Sequence, residues 1–244
     1  MTALPIFKNL IGQRVTPTRS LRALAHLLSY PNADLRAAMP ELKDALVSEA
    51  AVGANRLKGL TTLIDGIAAR DAFAVESDYV ELFDRGRATS LHLFEHVHGD
   101  SRDRGQAMVD LIKTYEQAGL YLDPAQVGGE LPDYLPMVLE FVSTLSNEAM
   151  EGFIGEFAHI LNAVYAALLK RGSHYAHVLG AVLEIAQQPI EAVEVPEEEA
   201  LDASWAEPEA FGGCTSKGQQ RPDQAQPIQI VRRTAASPQR GASA

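Results

Sequence analysis

Residues 18–30, TRSLRALAHLLSY, place Leu21, Leu24, Ala25 and Leu28 at i, i+3, i+4 and i+7, the spacing that gathers apolar side chains on one face of a helix. Thr16 or Thr18 can cap this segment and Pro31 ends it. The same period returns along the chain. Residues 33–50 continue in helical pattern with Pro40 inside, where the absent N–H predicts a break or kink. Leu57, Leu60, Ile64 and Ile67 give the next stripe, followed by Tyr79, Leu82 and Phe83. Residues 100–119, DSRDRGQAMVDLIKTYEQAG, offer an Asp or Ser cap, apolar Met108, Leu111, Ile112 and Tyr115, and Gly119 as a stop. Leu135, Val138, Leu139 and Val142 face inward behind Pro132 and Pro136, and the segments 151–170 and 174–187 are Ala- and Leu-rich helices joined around Gly172. No alternating run bounded by hairpin turns occurs, so strands are not required. The pattern predicts an all-α protein: one helical-bundle-like domain of eight or nine helices over residues 17–188.

An N-terminal arm, residues 1–16, precedes this domain, and a tail, residues 189–244, follows it. Residues 191–209 hold eight acids and no base, and residues 212–244 are rich in Gly, Gln, Pro, Ser and Arg. Such composition buries too little apolar surface to order itself, so a disordered acidic tail is expected. Within it, Trp205 and Phe211 read either as a short docking element or as two solvated aromatics.

Across all 244 residues, 32 acids against 21 bases give a net charge of −11. Release of counterions from a phosphate backbone cannot drive binding by such a chain, which argues against a nucleic-acid partner. A negative surface instead favours encounter with basic segments of other proteins. The single cysteine, Cys214, cannot form an intramolecular disulfide, and a cytoplasmic address is the simplest expectation. The start, MTALPIFKNLIGQRVTPTRS, lacks a charged region followed by a continuous apolar one, and no uncharged apolar run approaches the ~18 residues that span a bilayer. Neither export nor membrane insertion is expected.

Residues 79–105, YVELFDRGRATSLHLFEHVHGDSRDRG, concentrate two Phe, three His and four Arg among several acids. Three readings of the histidines stand side by side. His92, Glu95 and His96 match the H-x-x-E-H pattern of inverted zinc peptidases, in which two histidines one helical turn apart hold zinc and a glutamate activates water. Alternatively, Leu91, Phe94 and Val97 face a core while His92, Glu95, His96 and His98 line an exposed side. In the third, the polar residues wall a cleft that receives another chain. Arg85 and Arg87 follow Asp84, and Arg102 and Arg104 flank Asp103, so local pairing is the default for these bases. No G-x-S-x-G elbow and no Gly-rich phosphate loop is present.

Two blocks in order, the one just quoted and LPDYLPMVLEF at residues 131–141, together with the opening LRALAHLLSYP, resemble the NarJ-type chaperones that assemble respiratory nitrate reductase. The resemblance implies an all-helical cytoplasmic chaperone without catalytic activity or a cofactor of its own. Its implied partner is the catalytic (alpha) subunit of nitrate reductase, gripped through its N-terminal peptide while iron-sulfur and molybdenum cofactors are installed, with molybdenum cofactor delivery proteins as further partners. The alternatives are a permanent helical subunit of a respiratory complex and the zinc hydrolase. Carried onto this sequence, the resemblance points to Tyr79, Phe83, Asp84, Arg85, Arg87, His92, Phe94, Glu95, His96 and His98 in the first block, and to Asp133, Tyr134, Pro136 and Glu140 in the second. Phe83 and Phe94 are expected in the core; Asp84, Arg85, His96 and Asp133 are expected on a groove. Protonation of His92, His96 or His98 below pH ~6.5 would add positive charge and weaken capture of a basic peptide.

Overall fold

The stripe that begins at Leu21 belongs to a helix over Thr18–Leu27 (α1) in the computed structural model, which describes residues 17–99, 101–123 and 128–193. Eight further α-helices follow among the described residues: Ala33–Glu49 (α2), Ala54–Ala69 (α3), Ala72–Phe83 (α4), Leu93–His98 (α5), Asp103–Gln117 (α6), Leu135–Val142 (α7), Asn147–Lys170 (α8) and Ala176–Ile185 (α9). A 3₁₀ turn at Arg87–Thr89 sits between α4 and α5, and no strand occurs among the described residues. The fold is all-α. The arm 1–16, and Trp205, Phe211 and Cys214 of the tail, lie outside the described residues.

Local chemistry starts several helices. The side chains of Asn32, Asp71 and Ser146 accept hydrogen bonds from the N–H groups of Leu35, Ala74 and Ala149, at 2.9, 3.1 and 3.3 Å. Each satisfies one of the N–H groups that a helix start leaves without an internal partner. The first residue of α6 is preceded by Arg102 rather than by a capping acid, although Ser101 Oγ accepts from Asp103 N at 3.3 Å. Pro40 does not break α2, which runs unbroken through it. The proline stands on the exposed face, where water can reach the carbonyl its missing N–H leaves free.

The first helix is the axis of the packing. It contacts α2, α7 and α9, and Leu21, Leu24, Leu27 and Leu28 are fully enclosed. The predicted stripe of α7, Leu135, Val138, Leu139 and Val142, is buried throughout. Rings of Tyr115, Phe141, Phe153, Phe157 and Phe94 follow one another at centroid distances of 4.7 to 6.3 Å, tying α5 and α6 to α7 and α8.

By length and composition α8 could cross a membrane. Its packing is that of a core helix: Ile154, Ile160, Leu161, Val164 and Leu168 are buried, and α9 lies along it. The enclosed Asn162 side chain donates to the carbonyls of Ala158 and Pro189 at 3.0 and 3.1 Å and accepts from Glu191 N at 2.9 Å. A polar side chain satisfied in this way fastens the chain beyond α9 onto α8.

Candidate functional site

The two sequence blocks meet in space. Leu93 N donates to Asp133 O at 3.1 Å and Leu135 N donates to Leu91 O at 2.8 Å, so residues 91–93 and 133–135 run antiparallel with His92 opposite Tyr134. This short pairing delivers Asp133 to the start of α5. Its Oδ2 accepts from Phe94 N at 2.9 Å, and its Oδ1 lies 3.3 Å from His92 Nδ1. His92 occupies the cap position of α5 but makes no side-chain cap bond, and Asp133 supplies that bond to Phe94 from 39 residues away in sequence. The carboxylate is 0% exposed. A buried charge needs partners, and besides the amide and the imidazole it has Arg104 Nη2 at 3.9 Å.

Arg104 also reaches Glu95 Oε1 at 3.3 Å, while Ser90 Oγ donates to Glu95 Oε2 at 2.5 Å. The Glu95 carbonyl accepts two bonds from the Arg87 guanidinium, at 2.5 and 3.2 Å. His96 Nε2 donates to Ser90 O at 2.9 Å. Gly99 closes the loop with φ +54°, a backbone conformation that favours glycine, and a Cβ there would stand 2.6 Å from Arg87 Nη2, so the guanidinium would have to shift from the Glu95 carbonyl. The hydrogen bond to Asp133 raises the His92 pKa above its usual value; burial opposes this, while the charges of Asp133, Glu95 and Glu130 reinforce it. With Glu130 Oε2 at 3.5 Å from Nε2, a protonated His92 has a carboxylate on each ring nitrogen.

A tyrosine pair joins this hub to α1. Tyr79 Oη donates to Leu28 O at 2.8 Å, Tyr134 Oη lies 3.5 Å from the same carbonyl, and the two hydroxyls are 3.3 Å apart. Burial drives the Tyr79 phenol far above its ordinary pKa, so it remains a neutral donor. Its ring is packed by Tyr30 (5.6 Å), Phe83 (4.8 Å) and Tyr175 (6.3 Å), and His92 lies over Tyr134 at 5.4 Å.

Of the residues singled out in the sequence, Phe83 and Phe94 are buried as expected, as are Tyr79 and Pro136. Asp84, Arg85, Arg87 and Glu140 are exposed, and Tyr134, His92, Glu95, His96 and His98 are half-buried. Asp133 is fully enclosed and acts through the residues it holds. Val97, expected in the core, is 53% exposed, because α5 is only six residues long and its inward face is filled by Leu93 and Phe94. Arg85 pairs locally, as expected, but with Glu81 one helical turn earlier at 2.8 Å rather than with Asp84, and Arg104 bonds Glu95. His92 precedes α5 with extended backbone angles, so the two histidines of H-x-x-E-H are not stacked one helical turn apart. One is turned to Asp133 and Glu130, the other to Ser90 O, and no group of three or more potential ligands among the described residues could hold a metal. Ser90 and Glu130 were not legible as members of the hub.

The profile of the nitrate reductase delta subunit family matches residues 30–180. The chain is 40% identical over 195 residues, 75% of its length and 80% of the relative's, to the nitrate reductase molybdenum cofactor assembly chaperone NarJ of Escherichia coli K12. It is 36% identical over 166 residues, 66% of this chain and 86% of the relative's, to "Probable nitrate reductase molybdenum cofactor assembly chaperone NarJ" of Bacillus subtilis. A crystal structure from Archaeoglobus fulgidus, described as a redox enzyme maturation protein, superposes with a TM-score of 0.51 at 18% identity, covering 75% of this chain and 98% of that one. At that identity the likeness concerns the fold alone.

Proposed function

Because the chain belongs to the nitrate reductase delta subunit family, we propose that it is a dedicated assembly chaperone for the catalytic subunit of a respiratory nitrate reductase. It acts in the cytoplasm, binds the N-terminal segment of the apo subunit, and keeps that subunit competent for iron-sulfur and molybdenum cofactor insertion before it docks at the membrane. The observation that carries this reading is the 40% identity to the Escherichia coli chaperone, which extends over three quarters of the chain. The chemistry of the site is consistent with binding rather than catalysis. Its polar groups are engaged in holding α5 and the 91–93/133–135 pairing, and the histidines of the zinc motif face separate partners.

A client segment laid as an amphipathic helix on an apolar surface needs few anchors, since each fully buried apolar side chain contributes roughly 1.5–3 kcal/mol before ordering costs. Release follows when cofactor insertion folds the client and its N-terminus finds a better site, a shift of equilibrium that leaves the chaperone chemically unchanged. The test is affinity capture from cells expressing the reductase, with the catalytic subunit intact or lacking its first residues. Capture of the intact apo subunit and its loss on truncation is the expected result. The family description as a subunit favours one alternative, a permanent helical component, which would instead co-purify in fixed ratio with the mature reductase.

A further inference from the structure

We infer that the joint between α3 and α9 is an acid-sensitive latch, in which protonation of His177 drives its ring off a seat on Gly59 and loosens α3 from α9. This goes beyond the chaperone reading and does not depend on it. Each of the two helices supplies one glycine and, three residues away, one bulky nitrogen-bearing side chain. A Cβ on Gly59 of α3 would overlap the His177 imidazole, and a Cβ on Gly180 of α9 would overlap the Arg56 guanidinium. Each side chain therefore lies across the glycine of the opposite helix, and both glycines are buried. Residues three apart share a helix face, so the two seats are neighbours.

The seat suits a neutral ring. His177 Nδ1 is enclosed and has no hydrogen-bond partner among the described residues. Imidazolium carries an N–H on both nitrogens, so a proton added to the seated ring leaves a charged donor buried and unsatisfied. The surrounding charges oppose that proton too. Arg56 from α3 and His174, whose ring stacks on His177 at 5.9 Å from the turn before α9, are the groups whose charge acts on it. The carboxylate of this cluster, Glu184 of α9, is engaged elsewhere: it accepts from Gly53 N at 2.6 Å and lies 3.6 Å from Arg56 Nε. From α8, the Tyr165 ring faces the Arg56 guanidinium at 5.5 Å and brings no negative charge to His177.

Burial first, and then Arg56 and His174, lower the His177 pKa from its ordinary 6.5. A folded value below the unfolded one means that the latch holds fully above about pH 6.5 and weakens as pH falls through the interval beneath it. At pH 5.5 a histidine released to its ordinary pKa is about tenfold more protonated than not, so opening rises at most about tenfold over neutral pH. The surface at stake is apolar: Leu60, Ile64 and Ile67 of α3 are buried, as is every residue of α9 from Val178 to Leu183.

The experiment is hydrogen exchange of the full chain at pH 7.5 and 5.5, read by mass spectrometry as protection factors, in wild type and in His177→Gln, whose side chain takes no proton. In wild type, protection in α3 and α9 should fall roughly two- to tenfold on acidification, and in His177→Gln that fall should vanish. An equal fall in both proteins, or none in either, overturns the latch. A proton NMR titration of the His177 ring in wild type needs no variant to fold. It should return a pKa below 6.5, and a value at or above 6.5 overturns the inference on its own.

Discussion

Asp133 shows how one side chain can fix a site without facing solvent. Its Oδ2 caps Phe94 N and its Oδ1 faces His92, so replacing it with Ala leaves an amide without its cap and strips the nearby cations of their innermost carboxylate. The expected cost is about 2–4 kcal/mol in urea unfolding, with Asp133→Asn intermediate because its Oδ1 can still accept the amide bond. His92 gives a pH signature with a definite sign. Its folded pKa is raised above the ordinary 6.5, so the stability it contributes is fully present below that value and is lost as pH rises through the folded pKa. The stability difference between wild type and His92→Asn should therefore be largest in mild acid and shrink above neutrality. A difference that grows with pH would refute the assigned partners. Because the added proton falls between Asp133 and Glu130, this residue's pH effect belongs to folding.

Among the elements, α1 depends on a distant one for its ending. The Leu28 carbonyl is held by Tyr79 of α4 and approached by Tyr134 at the head of α7. Tyr79→Phe should cost about 1–2 kcal/mol and speed amide exchange at the C-terminal turn of α1, whereas Tyr134→Phe, at 3.5 Å, should cost well under half as much. Hydrogen exchange resolved by residue, alongside thermal melts of both variants, separates the two. Reversal of that order would mean that Tyr134 is the true anchor. These helices were legible because their signal is local: the stripes at Leu57–Ile67 and Leu135–Val142 repeat within a few residues. Pro40 misled because its effect depends on which face of α2 meets water, which period alone does not state. The short α5 was only partly legible, since its start is set by Asp133 and its inward face by α6 and α8, all remote in sequence. The meeting of the two blocks was not legible either, since the pairing of residues 91–93 with 133–135 joins segments some forty residues apart that share no local period.

At the level of the whole molecule, the core is drawn, among the described residues, from positions between Leu21 and Ala186. Residues 199–244 hold five acids and five bases, so ending the chain after Glu198 leaves the net charge at −11. That coincidence makes a clean test of electrostatic steering. Attraction between a negative surface and a basic client segment acts over a Debye length, about 10 Å at 0.1 M salt and about 4 Å near 0.5 M, and works mainly on the rate of encounter. For both the full chain and the 1–198 form, stopped-flow binding of the client peptide should show an association rate that falls severalfold from about 0.05 to 0.5 M salt while dissociation changes little. The two forms should also melt within a few degrees of each other, because the buried side chains are shared. A truncated form that loses its salt dependence at unchanged net charge would move the electrostatic contribution from residues 1–198 to residues 199–244.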